Sequence, residues 1–198
     1  HMARLPEYAL KMNYKLTATA GFCENGHHWA HCAVNFSKLL SYGANAVLEE
    51  AREQLHGIDL AQLGQLERYH FFCAVIIAVN AMINYGKRYA TLAEKMAAGE
   101  KEPRRKAELL EIARMCRYVP ANPARTFREA LQSMWLLYVC LTQEGWGAGM
   151  TMGRLDQLLY PYYKRDMEAG ILTRDEAREL LSLLLIQMNG AVNLQSYV

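Results

Sequence analysis

The segment from Val119 to Asp166 constrains the fold of this chain more than any other, because it predicts where two helices begin and end. Thr126 and Glu129 have the spacing of a capping box, in which a hydroxyl and a carboxylate each accept a hydrogen bond from a free backbone N–H at a helix start. Apolar side chains then recur at intervals of three and four residues, which is typical of one helix face. They are Leu131, Met134, Trp135, Tyr138 and Val139.

Glycines end this helix and a charged, aromatic stretch begins the next one. Glycine adopts backbone conformations that residues with a Cβ avoid, so a cluster of glycines favours an irregular connection. The cluster consists of Gly145, Gly147, Gly149 and Gly153, and it is followed by Arg154, Asp156 and the phenols of Tyr160, Tyr162 and Tyr163. We interpret Arg154 and Asp156 as an architectural pair and the tyrosines as packing residues.

Similar signals predict further helices along the rest of the chain. Their predicted ranges are about Asn35 to His56, Asp59 to about Ala98, Pro103 to about Arg117, about Leu155 to Gly170, and Thr173 toward Asn189. The alternation of apolar residues from Lys15 to Phe22 favours a short strand. The sequence therefore predicts a mainly α protein, a bundle-like group of helices with one or two short strands.

Composition favours one globular domain. The chain has 198 residues, 52% of them hydrophobic, and a net charge of +2, which gives no reason to expect nucleic acid as a partner. No uninterrupted apolar run reaches the roughly 18 residues that span a bilayer, so we expect no membrane partner. Five scattered cysteines favour buried thiols in a reducing cytoplasm. His1 and Met2 are typical of a cloning remnant, which leaves residues 3–198 as the predicted domain.

The central block resembles the glycyl radical enzymes, the pyruvate formate-lyase-like family. The residues from Gly153 to Tyr163 match the family pattern GR-x-DQ-x-LYPYY, and the segment VPANPARTFREALQS precedes it as in the family. Further similarity covers Glu67 to Phe71, Ile83 to Ala90, and Asn35 to Gly43. The resemblance implies a partial pyruvate formate-lyase-like domain, whose helices surround part of a barrel.

Two motifs of the family are missing from these 198 residues. They are the loop of the radical-bearing glycine, approximately RV-x-G-Y, and the loop of the thiyl-forming cysteine, which resembles GC-x-E. The resemblance therefore implies a fragment from the N-terminal half of a radical lyase, dehydratase, decarboxylase or formate acetyltransferase-like enzyme. Such a fragment holds no catalytic residue, is inactive alone, and exposes apolar surface through which it can self-associate or form a homodimer.

The resemblance also implies partners and substrate contacts. An activating enzyme with S-adenosylmethionine and an iron–sulfur cluster would install the glycyl radical of the parent enzyme, which acts on a small organic substrate. In the family a Gly-His segment runs into the substrate cavity, so His27 or His31 would hydrogen-bond a substrate hydroxyl or carboxylate. An early barrel strand also approaches the cavity, and on it the resemblance implies substrate contacts by Gly149 and Thr151.

Two other functions remain open on the sequence. Cys23, His27, His31 and Cys32 could bind zinc in a helical metal-binding protein, although paired CxxC or HExxH spacing is absent and Gly26 disfavours a helix there. We therefore predict no metal site. The chain could also be a stand-alone helical interaction module derived from the family.

Overall fold

A computed structural model describes residues 32–143 and 150–195 of the chain. Six helices and two short strands make up this part. In chain order they are β1 (Cys32–Ala33), α1 (Phe36–His56), α2 (Gln65–Gly99), α3 (Pro103–Tyr118), α4 (Phe127–Gln143), β2 (Met150–Thr151), α5 (Leu155–Glu168) and α6 (Arg174–Gln195). The mainly α prediction is confirmed, whereas the strand predicted from Lys15 to Phe22 lies outside the described residues.

Several predicted helix boundaries are confirmed by the hydrogen bonds at the caps. The Asn35 side chain accepts from the Lys38 N–H at 3.0 Å and begins α1. At the start of α6 the capping box is complete, because the Glu176 N–H donates to the Thr173 hydroxyl at 3.2 Å and the Thr173 N–H donates to the Glu176 carboxylate at 2.8 Å. These polar side chains therefore specify helix starts through local contacts alone.

The predicted start of α2 is wrong by about six residues. The Asp59 carboxylate accepts from the Ala61 N–H at 3.0 Å and from the Gln62 amide at 3.2 Å, so it stabilises a tight turn. The helix begins only at Gln65, after Gly64 adopts a left-handed conformation with φ of 81°. Aspartate stabilises turns and helix starts with the same kind of contact, so spacing alone did not distinguish them.

The core lies where α1, α4, α5 and α6 bring their apolar faces together, and the second half of α2 packs against it. Its largest fully buried side chains include Phe36, Leu40, Phe127 and Met134. The Phe127 ring meets the Tyr163 ring edge to face, with centroids 6.1 Å apart. The packing role predicted for Tyr162 and Tyr163 agrees with their half-buried positions against this core, whereas Tyr160 is exposed.

The residues from Phe71 to Met82 are apolar almost all round the helix, a pattern that predicts burial on several sides. The first half of α2 differs from this prediction. Phe71 is 62% exposed and Ile77 is 70% exposed, whereas Ile83, less than two turns further, is only 6% exposed. We call the exposed large side chains of this region the exposed apolar end of α2. It consists of Leu66, Phe71 and Ile77 in the helix, together with Leu60 and Leu63 in the turn just before it. The neighbours that would cover these side chains are not among the described residues.

Helix α2 also bears on the expectation, drawn from the sequence, that the chain has no membrane partner. It is the one helix in the described part of the chain that is long and apolar enough to cross a bilayer by length and composition. The uninterrupted-run argument missed it because isolated polar residues divide the apolar stretch. Core helices of water-soluble proteins meet the same criterion, so this property is weak support for a membrane span.

Helix α1 is broken in its middle, which the sequence patterns did not predict. Gly43 has φ of 76° and ψ of 170°, a combination that is essentially confined to glycine. A Cβ at this position would lie 2.5 Å from the carbonyl carbon of Asn122, so the loop before α4 can approach α1 this closely only because residue 43 is glycine. We call residues 40–45, residues 120–124 and Tyr162 the helix-break junction.

Candidate substrate-site segments

The two strands form one parallel pair that brings distant parts of the chain together. Cys32 pairs with Met150, and Ala33 pairs with Thr151. Parallel strands run in the same direction, so Cys32 and Met150, the first residues of the two strands, lie at the same edge of the pair. His27 and His31 precede β1 in the sequence and Gly149 precedes β2, but these three residues lie outside the described part of the chain.

Thr151 is the one predicted site residue that the structure describes. It is exposed, and its hydroxyl oxygen accepts a hydrogen bond from the Gly153 N–H at 3.1 Å. Gly153 has φ of 70°, which turns the chain, and its carbonyl accepts from the Leu155 N–H at 3.0 Å at the start of α5. Thr151 therefore joins the strand to the following helix through a short hydrogen-bonded turn.

Arg154 and Asp156 form the architectural pair that the sequence predicted. The guanidinium donates two hydrogen bonds to the carboxylate, at 3.0 Å and 2.7 Å, and both side chains are exposed. These hydrogen bonds from Arg154 lower the pKa of the Asp156 carboxyl to about 2. Asp156 is therefore ionised at neutral pH and is unsuited to general acid catalysis there.

Glu129 is a buried carboxylate that pairs with two half-exposed arginines, an arrangement that the sequence only partly revealed. Its side chain is completely buried, and it accepts from the Arg125 N–H at 2.9 Å and from the Arg125 guanidinium at 2.6 Å and 3.1 Å. Arg114 adds a longer contact at 3.4 Å. Burial by itself would raise the pKa of the Glu129 carboxyl, but hydrogen bonds and charge from the arginines outweigh it and lower the pKa.

The capping box predicted at Thr126 is therefore only half correct. The Glu129 N–H donates to the Thr126 hydroxyl at 3.1 Å as expected. The Glu129 carboxylate, however, accepts from the N–H of Arg125 instead of that of Thr126. The arginine one position before Thr126 was the available signal, because its guanidinium can reach the same carboxylate four residues later.

Asp166 is a second buried carboxylate, and sequence reasoning gave it no role. It accepts a hydrogen bond from the Phe127 N–H at 2.6 Å, across 39 positions in the chain. Phe127 is the first residue of α4, so its N–H has no acceptor within the helix, and the carboxylate supplies one. The negative charge of the carboxylate also lies at the positive end of the helix dipole, where it is stabilising. Asp166 thereby connects the end of α5 to the start of α4.

These contacts indicate that the buried acidic side chains among the described residues are structural. Glu129 and Asp166 hold helices together through charge-assisted hydrogen bonds. Across residues 32–143 and 150–195, no group of three potential metal-binding side chains comes together. The zinc hypothesis rests on Cys23, His27 and His31, which are not described, so it remains untested.

Comparisons with known proteins agree with this architecture. Residues 7–197 match the profile of the family described as pyruvate formate lyase-like. Isethionate sulfite-lyase from Oleidesulfovibrio alaskensis is 37% identical over 188 residues, which are 93% of this chain and 22% of the relative. The chain thus spans about a fifth of that enzyme's length.

Solved structures show the same relationship. The glycerol-bound B12-independent glycerol dehydratase from Clostridium butyricum superposes with a TM-score of 0.77 at 28% identity, over 91% of this chain and 26% of that one. A glycyl radical enzyme from Archaeoglobus fulgidus superposes with a TM-score of 0.72 at 36% identity, over 88% of this chain and 23% of that one. The chain belongs to the pyruvate formate-lyase-like family, the glycyl radical enzymes.

Proposed function

We propose that this chain supplies helical scaffold and one wall of the substrate cavity to a glycyl radical enzyme, a lyase, dehydratase or decarboxylase of a small organic substrate. The chain forms a single helical domain of that enzyme and is inactive alone. Relatives with lyase and dehydratase names cover the chain almost completely, and the chain covers only about a fifth to a quarter of each. Both facts support a part of a longer catalytic polypeptide.

The parallel pairing of β1 with β2 is the observation that carries this proposal. Cys32 pairs with Met150, which lies 118 residues later in the chain. The segments that precede them are the two that family resemblance connects with substrate. The first residues of the two strands lie at one edge of the pair, and we propose that side chains of both preceding segments contact one small molecule there.

Each candidate residue has a distinct role in this proposal. His27 or His31 hydrogen-bonds a substrate hydroxyl or carboxylate, because an imidazole can donate or accept near neutral pH. Gly149 lets the substrate approach the backbone closely. Thr151, whose oxygen already accepts from Gly153, still carries a hydroxyl proton that it can donate to a substrate oxygen.

The radical and the activating enzyme belong to the complete enzyme. Neither radical motif occurs in these 198 residues, so we assign neither the radical-bearing glycine nor the thiyl-forming cysteine to this chain. In the complete enzyme the radical supplies hydrogen-atom abstraction from the substrate. This chain helps to keep water out of the cavity by packing helices against its wall. We place the enzyme in the cytoplasm, where it meets an activating enzyme that uses S-adenosylmethionine.

The exposed apolar end of α2 supports the longer polypeptide. Three large apolar side chains of the first half of the helix and two in the turn before it are exposed, whereas Met82 and Ile83 further along the helix are buried. Exposed apolar patches of this kind mark surfaces that pack against other protein. The isolated chain should therefore bind a hydrophobic dye or self-associate, and a dye-silent monomer would count against a fragment.

Activity of the complete polypeptide tests the function. The gene product that contains this chain would be made anaerobically with its activating enzyme, and a glycyl radical would be sought by electron paramagnetic resonance. Sulfite release from isethionate and dehydration of glycerol would then be measured. Absence of the radical in an activated preparation would contradict the proposed function.

Substitutions test the site separately. We expect His27→Ala or His31→Ala to raise KM at least tenfold, since a hydrogen bond to a charged or strongly polar substrate group contributes roughly 1.5–3 kcal/mol. His56→Ala is the matched control, because His56 is exposed at the end of α1 and contacts only the Arg52 carbonyl among the described residues. An unchanged KM in both histidine variants would remove them from the site.

A further inference from the structure

We propose that Tyr162 is a positioning residue of the substrate site. Its hydroxyl sets the spacing of α1 and α5, the two helices that directly follow the paired strands, and thereby holds β1 in register with β2. This inference rests on the proposed function for its catalytic meaning. The structural coupling between Tyr162 and the strands can be tested without it.

The coupling begins with the break in α1. In an unbroken helix the Ala44 N–H would donate to the Leu40 carbonyl, four residues earlier. Because Gly43 turns the chain, the Ala44 N–H donates instead to the Pro120 carbonyl at 2.8 Å, and the Asn45 N–H donates to the Ala121 carbonyl at 2.9 Å. The Leu40 carbonyl has therefore lost its helical donor.

Two donors from other parts of the chain replace it. The Ala124 N–H donates to the Leu40 carbonyl at 3.0 Å, and the Tyr162 hydroxyl donates to the same oxygen at 3.1 Å. A carbonyl oxygen has two lone pairs, so both bonds can form at once. Burial raises the pKa of the Tyr162 phenol, and the phenol is therefore protonated and able to donate at neutral pH.

Short connections carry this contact to the strands. Between β1 and α1 lie only Val34 and Asn35, and the Phe36 N–H donates to the Val34 carbonyl at 2.9 Å. Between β2 and α5 the chain is held by the turn at Gly153 and by Met152, which is buried in the core. Both connections are short and are held by hydrogen bonds or by burial. A change in the distance between α1 and α5 therefore displaces β1 relative to β2.

The strand pair has little stability of its own. Each strand contains two residues, and isolated pairs of short strands do not persist in water. The helices that follow the strands, α1 and α5, must therefore hold the two strands in register. Of the three elements that meet at the Leu40 carbonyl, α5 is the one that leads directly back to β2, and Tyr162 is its only donor to this oxygen among the described residues.

Tyr162→Phe tests the coupling because it removes the hydroxyl and keeps the ring. Tyr160→Phe is the matched control, since Tyr160 lies on the exposed side of the same helix. Hydrogen exchange in the 198-residue chain should become about fivefold faster at the amides of β1 and β2 in Tyr162→Phe, the effect expected from one lost hydrogen bond. The control should exchange at the wild-type rate.

Equal strand exchange in wild type and Tyr162→Phe would overturn the coupling. If Tyr162→Phe does not fold, exchange of the wild-type chain in increasing denaturant decides the question. The amides of β1, β2 and the first half of α1 should then open together with one dependence on denaturant. Strands that open independently of α1 would also overturn it.

Kinetics of the complete activated enzyme test the positioning role. We expect Tyr162→Phe to raise KM about fivefold and change kcat less than twofold, because the displaced segments bind substrate and do not carry the radical. An unchanged KM beside faster strand exchange would show that the strand pair does not carry the substrate site, which contradicts both the site assignment and the positioning role but not the structural coupling. An unchanged KM beside unchanged exchange would contradict the coupling as well.

Discussion

The helix-break junction and the exposed apolar end of α2 differ in the regularity of their backbone and in whether the rest of the chain contacts their side chains and polar groups. At the junction the N–H groups of Ala44 and Asn45 donate to carbonyls of residues 120–121, and the Leu40 carbonyl accepts from Ala124 and Tyr162, in place of their usual helical partners. In the first half of α2 the helix is regular, yet apolar side chains such as Phe71 and Ile77 are exposed. At the junction an irregular backbone forms hydrogen bonds with distant residues of the chain, whereas the first half of α2 has a regular backbone and apolar side chains that the described residues leave uncovered.

This difference shows which part of the chain is structurally self-sufficient. An irregular backbone is stable only when the surrounding structure satisfies its polar groups, and here the described residues do so. A regular helix satisfies its own backbone and leaves only the side chains to be covered. The junction therefore requires no further protein, while the α2 end has the composition of a core and the exposure of a surface.

The largest expected effect comes from filling the junction. Gly43→Ala should lower the free energy of unfolding by about 3–5 kcal/mol, because a glycine-only conformation and a Cβ 2.5 Å from Asn122 both oppose it. Gly64→Ala is the control, since Gly64 also has a positive φ but nothing lies within 4 Å of its added Cβ. It should cost about 1–2 kcal/mol. Urea denaturation measures both, and equal costs would mean that the junction is not tightly packed.

A second pair of variants compares two isoleucines of α2. Ile83→Ala should lower the free energy of unfolding by about 2–5 kcal/mol, because Ile83 is 6% exposed and its loss leaves a cavity. Ile77→Ala should change it by less than about 0.5 kcal/mol, because Ile77 is 70% exposed. A large cost for Ile77→Ala in the isolated chain would show that self-association already covers this end of the helix, which sedimentation would detect.

The third prediction concerns the buried carboxylate that supports the start of α4. Glu129→Gln should lower the free energy of unfolding at pH 7 by about 1.5–3 kcal/mol, because it weakens charge-assisted hydrogen bonds with Arg125 and Arg114. Glu108→Gln, at an exposed pair with Arg105, is the control and should leave the urea midpoint nearly unchanged.

The contribution of Glu129 to the free energy of unfolding depends on pH, and the direction of its pKa shift fixes the direction of that dependence. The folded pKa of Glu129 is lowered, so its contribution is fully present above the unfolded pKa of about 4.3 and is lost as the pH falls through the folded pKa. The difference between wild type and Glu129→Gln should therefore be largest near neutral pH and shrink below about pH 4. A difference that stays constant down to pH 2 would show that the carboxylate charge is not what stabilises this region.

Local signals predicted much of the helical pattern from the sequence. Asn35, Pro103 and the Thr173–Glu176 box act on backbone groups within a few residues, so spacing was sufficient to find them. Family resemblance singled out the segments that the strand pair joins, although most of the candidate site residues lie outside the described part of the chain. Asp59 was misread because an aspartate turn and a helix cap require the same residue.

The contacts that sequence reasoning missed are those between distant residues. The break at Gly43 depends on the close approach of Asn122, and nothing in the neighbouring residues of α1 reports it. Asp166 likewise acts on Phe127, 39 positions earlier. The burial expected on several sides of the segment from Phe71 to Met82 failed at Phe71 and Ile77 for the same reason, because hydrophobicity shows that a side chain favours burial but does not identify what covers it.

The hydrogen bond between Leu40 and Tyr162 also bears on the order in which this chain folds. It closes a separation of 122 residues, whereas helices such as α3 form from neighbours alone. Contacts across long separations are slow to form because a large loop must close first. During synthesis the ribosome must add those residues before the middle of α1 can reach its final hydrogen-bond partners, so the first helix of the described residues to be made is among the last of them to be completed.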